Sequence, residues 1–221
     1  MPDETKPEGG ASADTPGVPA LAAGATPAVP PKPAAAKPAA PPPPKAPAAP
    51  AVMQTTPWED DLTRELAEAF AGEITAYLSY RGQNFLVAQP ASAIPVLEYL
   101  KYECGFDYLV DVTAVHYPKR EETQFDLVYV LYSFERNTRI RIKACLKDGE
   151  KAASAVGVHV TADWIEREVF DMFGIEFTGH PGLKRILMPD DWSGHPLRKD
   201  YGILQMDTRW VQENLGIESG Q

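Results

Sequence analysis

The sequence predicts an α+β domain: a mainly antiparallel sheet with helices packed on one face, a long irregular C-terminal segment, and a disordered Pro/Ala-rich N-terminal tail. Three observations predict it. Three successive runs between Tyr108 and Leu146 carry the alternation, or the β-branched and aromatic content, of strands, and polar links of hairpin length join them. Helical apolar stripes lie before and after these runs. Beyond Gly174, Gly and Pro recur too often for a long helix or a central strand.

The tail comes first. Sixteen of the 22 prolines lie at or before Pro57, in a stretch rich in Ala and without an aromatic residue. Such a segment cannot bury enough apolar surface to offset the entropy of ordering it, and runs such as Pro41 to Pro44 favour a stiff, solvated chain. Residues 1–57 therefore read as a disordered tail, 58–201 as one domain, and 202–221 as a C-terminal extension. The tail carries Asp3, Glu4, Glu8 and Asp14 against Lys6, Lys32, Lys37 and Lys45, so the net charge of −10 rests on the remainder. A domain this acidic is a poor match for nucleic acid or an anionic bilayer, which need an electropositive footprint. The chain shows neither a basic start followed by an apolar run nor ~18 uninterrupted apolar residues, so neither a secretory signal nor a membrane span is expected. Cys104 and Cys145 lie in apolar settings, as reduced cysteines of a cytoplasmic protein do.

In order along the domain, Asp60 and Asp61 precede a helical stripe from Leu62 to about Tyr80, with Gly82 as its stop. Phe85 to Ala88 is a short strand. A second helix runs from about Ser92 to Glu103, with Pro95 tolerated in its first turn. Strands follow at Tyr108 to Tyr117, Phe125 to Phe134 and Arg139 to Leu146, forming an antiparallel meander. The last alternates cleanly: Arg139, Arg141 and Lys143 on one face, Ile140, Ile142 and Ala144 on the other. No glycine-rich turn joins a strand to a helix, so a common nucleotide site is unsupported.

Thr161 or Asp163 can cap a helix running to Phe173, with Gly174 as its stop. Ile165, Val169, Phe170, Met172 and Phe173 form one apolar arc, while Trp164, Arg167, Glu168 and Asp171 gather opposite. Arg167 and Asp171 are four apart and can pair. Glu166 points into the apolar arc, where a carboxylate must stay protonated or find a cation. Arg185, Arg198 and Lys199 are the candidates, and on that reading Glu166→Gln destabilises the fold or its assembly. The segment from Ile175 to Tyr201 mixes Pro, Gly, apolar residues and charges. It reads as a docking surface whose charges are met largely by other polypeptides.

These residues resemble a known family. Glu166-Arg167-Glu168, Asp171-Met172-Phe173-Gly174, His180-Pro181, Arg185-Ile186-Leu187, Asp191-Trp192 and Gly194-His195-Pro196-Leu197-Arg198-Lys199-Asp200 look like the signature of the C subunit of bacterial NADH:quinone oxidoreductase, the 30 kDa subunit family of respiratory complex I. The resemblance covers roughly Trp58 to Tyr201. It departs at Gly202, where relatives commonly carry Pro, and in the tail, which lies outside the family pattern. The resemblance implies a non-catalytic structural subunit of the peripheral arm of a proton-translocating enzyme, on the cytoplasmic side of the inner membrane. Its implied partners are other complex I subunits, chiefly the quinone-site D subunit and the neighbouring B and I subunits, with membrane contact only through the complex. FMN, iron–sulfur clusters and quinone are then expected in other subunits of the complex and no cofactor in this chain. Two distant cysteines agree, since a cluster generally needs four ligands. No catalytic or metal-binding residue is implied. Docking falls to Glu166, Arg167, Glu168, Asp171, His180, Arg185, Asp191, Trp192, His195, Arg198, Lys199 and Asp200.

Competing readings have less support. His180 and His195 precede prolines and lack a second ligand at metal-binding spacing. Glu166, Glu168, Asp171, Asp190, Asp191 and Lys199 permit a metal-dependent hydrolase without suggesting one, and no Ser or Cys sits in a nucleophile turn. The pairs Lys184-Arg185 and Arg198-Lys199 suit carboxylates better than a free anion. A homologous subunit of a membrane-bound hydrogenase or deazaflavin-dependent dehydrogenase shares the Glu-Arg-Glu signature. An adaptor binding through its tail is a further alternative.

Overall fold

A computed structural model describes residues 54–202 and 207–216. Strands β1 (Thr56–Pro57), β2 (Ile74–Tyr80), β3 (Gln83–Ala88), β4 (Tyr108–His116), β5 (Phe125–Ser133) and β6 (Thr138–Leu146) form one sheet in the order β1-β2-β3-β6-β5-β4. Helices α1 (Asp61–Ala69) and α2 (Ala93–Tyr102) precede β4; a 3₁₀ turn, Pro90–Ser92, leads into α2. Two-residue strands β7 (Ala152–Ala153) and β8 (Phe177–Thr178) bracket helix α3 (Ala162–Phe173) and pair in parallel. Helix α4 (Thr208–Leu215) follows the irregular segment.

All neighbouring strands of the sheet pair antiparallel except β3 and β6. The meander from Tyr108 to Leu146 is present, but its third strand also pairs in parallel with β3, so the sheet is mixed. That arrangement needs a crossover, and α2 with β4 and β5 supplies it.

The helix expected from Leu62 to Tyr80 ends at Ala69. Asp60 starts it with a capping box: its carboxylate accepts the Thr63 N–H at 2.9 Å while its own N–H donates to Thr63 Oγ1 at 2.9 Å. Gly72 then takes φ +83° and the chain turns into β2. Ile-Thr-Ala-Tyr-Leu-Ser-Tyr is β-branched and aromatic, and its tertiary partner β3 overrides the apparent helical spacing. Gly82 is accordingly no helix stop. With Arg81 at φ +49° it makes the two-residue turn of the β2–β3 hairpin. The tail boundary also shifts. Thr56 and Pro57 pair with Ser79 and Leu78, whereas residues 1–53 lie outside the described range.

The core lies between the sheet and its helices. Leu62 and Leu66 of α1, Val96, Leu97 and Leu100 of α2, and Val169, Met172 and Phe173 of α3 join one cluster. From the sheet come Leu86, Leu127, Leu131, Ile140 and Ile142, each at most 1% exposed. The opposite sheet face belongs to the other alternate residues, Arg139, Arg141 and Lys143 among them.

Candidate docking site: a strap clamped onto helix α3

Two buried carboxylates on α3, five positions apart, organise the segment that follows it. Asp171 is fully buried, with 0% exposure, and not on the solvent side where the helical wheel puts it. Its partner is Arg185 rather than Arg167. Arg185 Nη1 donates to Asp171 Oδ1 at 2.6 Å, while the Ile186, Leu187 and Met188 amides donate to Oδ2 at 3.0, 2.7 and 2.8 Å. Burial alone pushes the Asp171 carboxyl up, but these four donors outweigh it and hold the group below the usual aspartate range. Three consecutive amides converging on one oxygen fix the backbone as well as the charge.

The turn of chain that follows is tied to the end of the same helix. His195 Nδ1 donates to the Asp171 carbonyl at 2.9 Å, the Leu197 N–H to the Met172 carbonyl at 3.1 Å, and Arg185 Nη2 to the Gly194 carbonyl at 3.1 Å. Gly174 stops α3 at φ +76°, and a Cβ there would meet His195 Nε2 at 2.6 Å. Only glycine suits both the backbone and the space.

Glu166 is likewise 0% exposed, but among the described residues no Lys or Arg pairs with it. Ser154 Oγ donates to Oε2 and the Ala155 N–H to Oε1, each at 2.6 Å. Arg185, Arg198 and Lys199, the expected partners, are engaged elsewhere. Burial pushes the Glu166 carboxyl above the usual glutamate range; the Ser154 and Ala155 donors and nearby His180 oppose that without cancelling it. Glu166 therefore ties α3 to the β7 loop, not to the strap. Thr161 occupies the N-cap of α3 without a side-chain bond. Asp163, in the first turn, instead receives His180, whose Nε2 donates to its carbonyl at 3.0 Å. His180 Nδ1 in turn accepts the Gly182 N–H at 3.0 Å.

The far end of the strap lies over the sheet. Arg198 pairs with Asp148 and stacks 5.0 Å from the Phe125 ring. The Lys199 N–H donates to Nδ1 of buried His116 at 3.1 Å, and Asp200 Oδ1 stands 3.6 Å from the same nitrogen. Trp192 is buried against Trp210 of α4, ring centroids 5.5 Å apart, and Asp191 accepts Trp210 Nε1–H at 2.8 Å.

Arg167 stacks 4.9 Å from the exposed Trp164 ring and donates to the Lys184 and Arg185 carbonyls at 3.2 and 3.3 Å. Glu168 faces solvent. Arg167, Arg185 and Asp171 thus find partners within the chain, contrary to the expectation that other polypeptides meet them, whereas Arg198 pairs with Asp148 but its buried Nε has no partner among the described residues. Beside exposed charges such as Lys184, Asp190 and Lys199, four large apolar side chains face outward: Val160, Trp164, Leu187 and Leu197 are 80, 62, 61 and 52% exposed.

Sequence reasoning missed Ser154, Ala155, His116 and the three strap amides. Backbone donors leave no residue-type signal, and Ser154 lies in an unremarkable Ala-Ala-Ser-Ala run. Among the described residues, no three His, Cys, Asp or Glu side chains are arranged to hold a metal ion, and no helix is long and apolar enough to cross a membrane.

A model of the respiratory-chain NADH dehydrogenase 30 kDa subunit family matches residues 86–206, more than half of the 221. The C subunit of the NADH-quinone oxidoreductase of Geotalea uraniireducens is 43% identical over 140 residues, which are 63% of this chain and 85% of that protein. Its counterpart from Trichlorobacter lovleyi is 45% identical over 140 residues, 63% of this chain and 86% of the relative. Among solved structures, a chain of the membrane-bound sulfane sulfur reductase, an archaeal respiratory membrane complex, aligns with TM-score 0.58 at 23% identity. The alignment covers 72% of this chain and 93% of that one, a likeness of fold alone.

Proposed function

The chain belongs to the respiratory-chain NADH dehydrogenase 30 kDa subunit family, and on that premise we propose that it is a non-catalytic structural subunit of a proton-translocating NADH:quinone oxidoreductase. In this reading it sits in the peripheral arm, on the cytoplasmic side of the inner membrane. There it buttresses the quinone-site D subunit and the neighbouring B and I subunits. Flavin, iron–sulfur clusters and quinone are bound by other subunits of the complex, and this chain contributes to electron transfer only by holding its neighbours in place.

The observation that carries the reading is the state of the strap. Its backbone is fixed by Asp171 and Arg185, yet Leu187 and Leu197 upon it, with Trp164 and Val160 beside it, are more than half exposed. A rigid element holding apolar side chains in solvent lowers the ordering cost of association. Large apolar side chains left exposed on an ordered segment point to an interaction surface.

Recovery of the full chain from detergent-solubilised membranes, with its companions identified by mass, tests this. Flavin-, cluster- and quinone-site subunits should accompany it. A monomer in its native membrane fraction, or unaided turnover of a substrate, contradicts the reading. The same companions decide between this enzyme and the related hydrogenase or deazaflavin-dependent dehydrogenase.

A further inference from the structure

The sheet face turned away from the helices is built differently from the rest of this acidic chain. Along β6, Arg139, Arg141 and Lys143 project from it, opposite Tyr132, Val130 and Val128 of β5. On the other flank Arg141 pairs with Phe85 and Lys143 with Val87 of β3. Phe85 and Val128 are 6 and 7% exposed but lie outside the core cluster, so the cationic side chains themselves shelter them. Lys143 Nζ stands 5.0 Å from the Phe85 ring.

Compensation on this face is incomplete. Asp126 is shared by Arg120 at 2.5 Å and Lys143 at 3.6 Å. Arg141 reaches only the neutral Gln83 side chain, and Arg139 makes no ion pair among the described residues. No described helix covers the surface. A row of cations flanked by half-buried Val87, Val130 and Tyr132, with Asp111 beside Val130 as the nearest β4 acid on this face, on a chain of net charge −10, selects for acidic groups arranged in a line.

We infer that this face is a second docking surface, and that its occupant is an acidic amphipathic helix of a companion subunit. The spacing fits: alternate strand residues stand about 6.6 Å apart, and every fourth residue of a helix about 6 Å. Carboxylates on successive turns of such a helix meet Arg139, Arg141 and Lys143 in turn, and its flanking apolar residues pack on half-buried Val130 and Tyr132 on one side and Val87 on the other. A long polyanion or an anionic bilayer is repelled by the acidic remainder of the chain, whereas a short helix contacts only the strip. The inference rests on the assembly reading above but uses the other face of the sheet from the one α3 packs on.

The test places a photo-crosslinking amino acid at Val130 of the full chain, assembled in its native membranes. Support is a single cross-linked peptide from a companion subunit with acidic residues at helical spacing. With Arg139→Glu and Arg141→Glu introduced together, that product should fall at least tenfold while the strap contacts keep the chain in the complex. Cross-links only to lipid, nucleic acid, a second copy or this chain's own tail overturn the inference while leaving the assembly reading intact. So does a product indifferent to charge reversal. A chain found without companions overturns both.

Discussion

Glu166 and Asp171 are both fully buried carboxylates on one helix, yet the protein treats them oppositely. Asp171 has an arginine and three amides and titrates low; Glu166 has a hydroxyl and one amide and titrates high. Neither carboxylate touches solvent, but Glu166 lies deeper in the protein and has fewer donors, while Asp171 also has a cation. The ionised carboxylate gathers a distant segment around itself. The other closes a local seam between α3 and the β7 loop.

Removing the stronger clamp should have the largest effect. Asp171→Ala leaves Arg185 and three amides without their acceptor, and breaking such a buried pair costs about 3–5 kcal/mol. Urea unfolding of the full chain measures it; a loss comparable to that at a surface site would erase the distinction drawn here.

Gly174→Ala attacks the same strap sterically. Its positive φ and the 2.6 Å approach of His195 predict a loss of about 1–3 kcal/mol, with residues 194–201 becoming susceptible to proteolysis before the sheet does. Equal susceptibility in the parent chain would argue that the strap is not held.

The two carboxylates also have opposite pH signatures. Because the folded Asp171 titrates below its unfolded value, its contribution is present above about pH 3.9 and disappears as the pH falls through the folded value. Glu166 titrates above its unfolded value, so its contribution is present below about pH 4.3 and disappears as the pH rises through the folded value. Asp171→Asn should therefore remove acid-side loss of stability, whereas Glu166→Gln should gain on the parent as the pH rises above about 4.3. Stability-against-pH curves of the same slope for both variants would contradict the assignment.

The smallest effect is expected for Glu166→Gln itself near neutral pH. A glutamine keeps an acceptor for the Ala155 amide and leaves no buried cation unpaired, so the change should stay under about 1 kcal/mol. That reverses the expectation drawn from the sequence, which assumed a cationic partner.

The reversal shows where sequence reasoning reaches its end. Strict alternation made β6 legible, and β-branched and aromatic runs did the same for β4 and β5. The helix of α3 and its Gly174 stop were also legible, because periodicity and a left-handed cap are local properties. The signature residues were found, but not their pairings. Asp171 was placed toward solvent because a helical wheel assumes one buried side, whereas α3 is covered by the sheet on one side and by its own strap on another. The partners of Glu166 and Asp171 are largely backbone amides, which any residue type supplies. Ile74 to Tyr80 was misread because its apolar spacing fits both periods, and only pairing with β3 decides between them.

Hydrogen exchange at the Ile186, Leu187 and Met188 amides, followed in the free chain and in the assembled membrane complex, tests the central claim most directly. The account predicts that all three are already protected in the free chain, and that assembly adds protection only around the exposed residues flanking Leu187 and Leu197. Rapid exchange of the three amides in the free chain, with protection arising only on assembly, would mean that the strap is ordered by its partners and not by Asp171.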